Sequence, residues 1–204
     1  MLVNLSEFSR PDAYFAMTQT VLPRPVAWVL SENDNGSYNL APYSFFNAVS
    51  SDPPLLMFSV GLQDDGTYKD SLANVRERPE FVVHIASSSQ LPDLNLSSAT
   101  LPPGVSEVTA GNLSLSEVEG FSMPRLTDCK VAFMCHVHKI DRIGNNDQNL
   151  VFGEIDAVYL DDSCAAYNDK GRLIVNADVI QPLSRLGASQ YASFGEVLTA
   201  VRPA

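Results

Sequence analysis

The chain has 204 residues, 45% of them hydrophobic and 18% charged, with 13 Lys and Arg against 24 Asp and Glu for a formal net charge of −11. That length supports a sizeable core, and the composition lies well outside the disordered class. The acidic balance, with an isoelectric point near 4.5, argues against a nucleic-acid or anionic-membrane binder, yet leaves room for a small anionic ligand, which answers to local charges only.

Residues 1–10 carry Glu7 and no apolar h-region, so no signal peptide is read and a cytoplasmic protein is expected. In that compartment the Asn-x-Ser/Thr patterns at Asn4, Asn35, Asn95 and Asn112 are chance matches, and Cys129, Cys135 and Cys164, too few and too spread for a disulfide framework, stay reduced. No apolar run approaches the roughly 20 residues of a membrane helix. Nothing marks a linker or a repeat, so residues 1–204 are expected to form one domain.

A first helix is predicted from Pro11 to about Thr20, with Pro23 and Pro25 blocking its continuation. The run Val26-Ala27-Trp28-Val29-Leu30 reads as a buried strand, and Asn33-Asp34-Asn35-Gly36 as the turn into a second strand over 40–50, interrupted early by Pro42. Asp52-Pro53-Pro54 turns the chain into a third strand over 55–60. Helical spacing of Leu72 and Val75 predicts a helix over 67–78, with Thr67 as N-cap and Pro79 just beyond its end. A fourth strand covers 81–85, and 87–122 reads as short helices and surface loops. Long strands over 130–140 and 150–159 meet at the Gly144-Asn145-Asn146-Asp147 turn. The tail from Ile180 to Ala204 mixes turns with a short helical piece. Most strands are joined by turns, which predicts a mainly β chain, an antiparallel barrel with peripheral helices.

Alternation along 43–50 puts Tyr43, Phe45, Asn47 and Val49 on one face and Ser44, Phe46, Ala48 and Ser50 on the other, so each face mixes aromatic bulk with polar groups. Such a strand is either buried on both sides or the wall of a pocket for a flat, polar-edged heterocycle. Lys69 falls in the opening turn of a helix, where a cation opposes the helix dipole. With Thr67 and Ser71 it forms a small anion-binding cluster suited to phosphate, or else it is a surface lysine paired with Asp70. Arg24, pinned between Pro23 and Pro25, is a turn arginine or a second charge for the same anion. His136 and His138 share a strand face, but no third metal ligand is evident. His84, inside an apolar strand, reads as a hydrogen-bonded core residue.

The blocks Pro23-Arg24-Pro25-Val26-Ala27-Trp28-Val29 and Asn39-Leu40-Ala41-Pro42-Tyr43-Ser44-Phe45-Phe46-Asn47-Ala48-Val49-Ser50-Ser51-Asp52-Pro53-Pro54 closely resemble the flavin reductase-like family. The likeness continues through Lys69-Asp70-Ser71-Leu72-Ala73-Asn74, Phe81-Val82-Val83-His84-Ile85, Val151-Phe152-Gly153-Glu154-Ile155 and Pro182-Leu183-Ser184-Arg185-Leu186-Gly187. It implies the FMN-binding split barrel, a six-stranded antiparallel barrel that forms a homodimer with FMN near the subunit interface. On this resemblance Ser44 and Lys69 contact the phosphate, with Asp70 and Ser71 in the same turn. Tyr43, Phe45, Phe46, Asn47 and Ala48 line the flavin ring and ribityl chain, and Ser59, Arg24 and Arg185 are further contacts.

The implied activity is NAD(P)H-dependent flavin reduction, with NADH or NADPH as donor and free flavin or a partner monooxygenase as acceptor. No catalytic side chain is implied, because flavin and nicotinamide exchange hydride directly. Smaller reductases of this fold often carry an Asp-His pair just before the Val-Phe-Gly strand. Here the stretch reads Asp147-Gln148-Asn149-Leu150, which supports the alternative of an FMN-binding electron carrier that does not oxidise NAD(P)H. Pyridoxamine-phosphate oxidase-like chemistry would need a second cluster of basic residues, and none is identified.

Overall fold

The computed structural model describes residues 1–204 apart from Pro103, Asn146, Arg202 and Ala204. Helix α1 (Arg10–Thr20) begins where the Ser9 hydroxyl accepts from the Asp12 N–H and Pro11 occupies the first turn, whose N–H groups have no helical partner anyway. Strands β1 (Ala27–Glu32) and β2 (Tyr38–Tyr43) form a hairpin over the predicted turn at 33–36, where Gly36 takes φ +75.

The strand expected over 40–50 is in fact two. β2 ends at Tyr43, and β3 (Phe46–Ser51) starts after Ser44 and Phe45. The remaining long strands are β4 (Pro54–Val60), β5 (Glu80–His84), β6 (Val131–Ile143) and β7 (Gln148–Leu160). They build one antiparallel sheet in the order β2-β1-β5-β6-β7-β4-β3. The break raises the expected six strands to seven and places the two halves at opposite edges. Three peptide steps from Tyr43 to Phe46 reach at most about 11 Å, so those edges lie close together and the sheet curls on itself instead of lying flat. Pro42, which cannot donate to a ladder, is tolerated because β2 is an edge strand.

The curled sheet buries both of its faces. Inside, Val29, Phe58, Phe81, Val83 and Val151 pack with Leu72 and Val75 of helix α2 (Asp70–Glu77). Outside, Trp28, Leu30, Leu40, Val82 and Met134 pack beneath helices α3 (Leu91–Leu96) and α4 (Glu107–Ala110), which lie in the segment read as short helices and loops. This is why β1 is a continuous apolar run and not an alternating one. The β6–β7 ribbon carries register shifts at Phe152/Gly153 and Ile155/Ala157. Its expected turn joins the two strands, with Asn146 outside the described residues.

Helix α2 starts three residues later than predicted. Thr67 does not cap it, because its N–H and hydroxyl donate to Asp65 Oδ1 at 2.9 and 2.6 Å and close a local turn. The short helical piece expected within the tail lies ahead of it instead: α5 (Ala177–Ile180) ends where the tail begins, and the described residues beyond Ile180 contain no helix. Beyond it, Ser184–Arg185 pairs with Arg24–Pro25 on one side and Tyr191–Ala192 on the other. No helix among the described residues is long and apolar enough to cross a membrane.

Candidate functional site

A cavity of about 480 Å³ opens between the end of β2, the 62–65 loop, the N-terminus of α2 and the 97–101 segment. Its wall includes Tyr43, Lys69, Asp70 and Ser71 together with Asn39, Gln63, Asp64, Asp65 and Glu107. Lys69 is the N-cap of α2, with extended backbone and no side-chain cap, and its carbonyl accepts from Leu72 N–H at 2.9 Å. The N–H groups of Asp70 and Ser71 meet no acceptor among the described residues. Two free N–H groups, the positive end of a helix dipole and an exposed ammonium thus converge at the mouth, and together they suit an anion.

Beneath α2 runs a buried ladder of amides and hydroxyls. Asn39 Nδ2 donates to Ser71 Oγ at 2.7 Å, and Asn74 Nδ2 donates to Ser31 Oγ at 3.1 Å and to Asn33 Oδ1 at 2.8 Å. It ties the first turn of the helix to the β1–β2 hairpin, so Lys69 and Ser71 are presented from a rigid base. Burial pushes the Tyr43 phenol up to about 12, against the opposing pull of Ser71. It also raises the Glu107 carboxyl, whose Oε2 accepts from the Leu40 N–H at 2.9 Å, and Asp70 adds to that rise; Asp70 is itself raised by burial.

Next to the cavity, the two-residue link between β2 and β3 forms a second group. The Phe45 carbonyl accepts from the Ser59 N–H at 2.9 Å, and Ser59 Oγ accepts from Gln148 Nε2 at 2.7 Å. Phe45 sits 6.2 Å, centroid to centroid, from Tyr14 of α1. Phe46 turns into the interior, whereas Asn47 and Ala48 are exposed, with Asn47 Oδ1 accepting from the Ala48 N–H at 2.9 Å.

Residues 17–173 match the family described as flavin reductase like domain. The chain belongs to that family. The split-barrel fold implied by the sequence blocks is the fold of its solved relatives. YwrF of Bacillus subtilis (strain 168), an uncharacterized protein, is 36% identical over 97% of this chain and 96% of its own. Nitrilotriacetate monooxygenase component B from Bacillus cereus superposes with a TM-score of 0.89 at 32% identity, covering 98% of each chain. The 2-nitrobenzoate 2-nitroreductase NbaA of Pseudomonas fluorescens gives 0.87 at 32% identity over 100% of this chain and 96% of its own.

Of the family-implied residues, Tyr43, Lys69, Asp70 and Ser71 line the cavity, and Ser44, Phe45, Phe46, Asn47, Ala48 and Ser59 gather along the adjoining link and strand edge. Arg24 stands apart. It is buried, and its guanidinium donates to the carbonyls of Thr18, Val21 and Leu186 at 2.7, 2.8 and 2.7 Å, with Ser44 Oγ 3.4 Å from Nε. Those carbonyls employ it as a clamp between the end of α1 and the tail. Arg185, its cross-strand partner, donates to the Ala188 carbonyl and lies 4.4 Å from the Tyr191 ring centroid.

Sequence reading missed Asn39, Glu107 and the 97–101 segment as part of a site. Glu107 sits in a four-residue helix inside a loop-rich stretch, and nothing local marks it. Asp64 and Asp65 also face the cavity. The paired histidines lie on the outer face, with His136 Nδ1 2.8 Å from Asp156 Oδ2 and His138 Nδ1 3.1 Å from Glu154 Oε2. No cluster of three or more His, Cys, Asp or Glu among the described residues is arranged to hold a metal.

Proposed function

We propose that the chain is an FMN-binding oxidoreductase that oxidises NADH or NADPH and delivers the electrons to free flavin, a partner monooxygenase or another acceptor. The observation that carries this reading is the uncapped N-terminus of α2 beside the β2–β3 link. An anion-binding mouth adjoins a strand edge with exposed backbone and aromatic flanks, as a flavin mononucleotide requires. Lys69 and the N–H groups of Asp70 and Ser71 would hold the phosphate. Residues Tyr43, Ser44, Phe45, Phe46, Asn47, Ala48 and Ser59 would orient the ribityl chain and ring.

When bound, the flavin supplies the hydride and electron chemistry, and the protein supplies position, electrostatics and access. No side chain is then needed as acid or base. The names of the two structural relatives at 32% identity, a monooxygenase component and a nitroreductase, support a role in handing electrons onward. The working unit is a homodimer, supported by the exposed apolar residues Tyr167, Leu173, Ile174 and Val175 on one small hairpin. The whole chain serves this single flavin-binding function, in the cytoplasm.

A second reading, an electron carrier reduced only by another protein, is favoured by one observation. Gln148 occupies the neighbourhood where smaller reductases carry a histidine, and its neutral amide is spent on Ser59 Oγ at 2.7 Å. Anaerobic mixing of FMN-loaded protein with NADH and then NADPH, followed by flavin absorbance, separates the two. Rapid protein-dependent bleaching is expected, and tight FMN binding without bleaching would leave the carrier. In parallel, Lys69→Ala should weaken FMN binding about tenfold, the loss of one charge-assisted phosphate contact. An unchanged affinity would remove Lys69 from the phosphate site.

A further inference from the structure

A hydroxyl gives one hydrogen and accepts through two lone pairs, so what a buried serine offers a ligand depends on what its neighbours have already taken. Ser71, 1% exposed, lines the cavity from the first turn of α2. Its Oγ accepts from Asn39 Nδ2 at 2.7 Å, and the Tyr43 phenol draws on the same hydroxyl. Among the described residues only that phenol competes for the hydrogen of Ser71. Burial keeps the phenol protonated, its pKa up to about 12, and a neutral phenol is a weak acceptor beside a charged phosphate oxygen. Asn39 is itself held in place. It lies opposite Ser31 in the β1–β2 pairing, is 3% exposed, and reaches Ser31 Oγ with its second amide hydrogen at 3.4 Å. Asn74 fixes Ser31 in turn, and is anchored to Asn33 Oδ1 at 2.8 Å and by Arg78 Nη2 at 3.4 Å. The Asn39 amide cannot turn its oxygen towards Ser71 without giving up both of its donated bonds.

Resting on the flavin-phosphate reading above, we infer that Asn39 is a positioning residue for the phosphate: by donating to Ser71 Oγ from beneath, it turns that hydroxyl into a donor aimed into the cavity, beside Lys69 and the free N–H groups of Asp70 and Ser71. A hydroxyl oriented before the ligand arrives loses no rotational freedom on binding, so more of its charge-assisted bond appears as affinity. Asparagine suits the role because its amide presents donors to the serine oxygen. An aspartate there, an acceptor only, would take the serine hydrogen for itself.

The test is the dissociation constant of the FMN-free full-length protein for FMN and for riboflavin, which has the same ring and ribityl chain without the phosphate. Wild type should bind FMN the more tightly. Ser71→Ala should weaken FMN binding about tenfold and Asn39→Leu roughly fivefold, with riboflavin binding unmoved in both. In the Ser71→Ala background Asn39→Leu should add nothing further, since its effect passes through the serine hydroxyl. Asn39→Ala gives the same comparison where leucine packs poorly in the buried ladder. Equal losses for FMN and riboflavin on changing Asn39 would mark a merely structural role and overturn the inference, as would additive losses in the double variant. Unchanged FMN binding in Asn39→Leu would overturn it too. So would tighter binding, by showing that the amide takes the serine hydrogen instead of giving one. FMN bound no more tightly than riboflavin by wild type would instead fell the phosphate reading, and this inference with it.

Discussion

His84 has no exposed surface and both of its ring nitrogens are used. The Leu126 N–H donates to Nε2 at 2.9 Å, which leaves Nδ1 to carry the proton and donate to the Trp28 carbonyl at 3.1 Å. Burial lowers its pKa to about 4, and nearby Arg125 adds a smaller push in that direction. In the unfolded chain the same imidazole protonates near 6.5. Between those values the unfolded state binds more protons, so stability is full above about pH 6.5 and declines as pH falls towards 4, by up to about 3 kcal/mol. Urea unfolding across that range should show this extra acid sensitivity in wild type and not in His84→Gln. Parallel curves for the two proteins would mean that another group governs the acid limb. The core role of His84 was legible because a lone histidine in an apolar strand has few alternatives. Arg24 was not, since its partners are carbonyls contributed from residues as distant as Leu186.

The β6–β7 ribbon shows how an element is set by contacts across the sheet. A Cβ added at Gly153 would lie 2.5 Å from the Phe81 ring and 3.3 Å from Leu56 Cδ1. Glycine stands there because the interior aromatic presses against the strand, next to one of the ribbon's register shifts. Gly153→Ala should cost about 1–3 kcal/mol through overpacking, read as a lower urea midpoint at constant m-value; an unshifted midpoint would show that Phe81 can give way. Helix α1 and strands β1, β4 and β5 could be read from the chain, because capping residues and continuous apolar runs act locally. The division of 40–50 into β2 and β3 could not. Both halves favour extended backbone, and only their pairing with different partners, β1 and β4, separates them. Likewise the start of α2 depends on a contest between Thr67 as cap and Asp65 as turn partner, which composition does not decide. The cavity was half legible, its mouth at Lys69 and Ser71 visible as a motif and its floor built from segments far apart in sequence.

As a whole molecule the chain leaves several large apolar side chains open to solvent. Ile174 is 51% and Tyr167 75% exposed on one hairpin, while Tyr14 and Phe15 are open on α1 close to the β2–β3 link. A second copy covering these faces should give twice the monomer mass by sedimentation at micromolar concentration. Ile174→Glu, which places charge in that contact, should shift the distribution towards monomer. A wild-type protein that sediments as monomer would remove the dimer from the proposed working unit.

The link between opposite edges of the sheet is only two residues long, Ser44 and Phe45. Families diversify cheaply by lengthening loops, since added residues cost little in closure entropy. That freedom is denied here, for one inserted residue would slip β3 against β4 and exchange the faces shown by Phe46, Asn47 and Ala48. Deletions meet the same obstacle from the other side, because the span from Tyr43 to Phe46 is already short. Divergence among relatives in donor and acceptor is therefore expected to accumulate as length changes in the 62–66 and 97–101 segments, leaving the seam between the edges at a constant length.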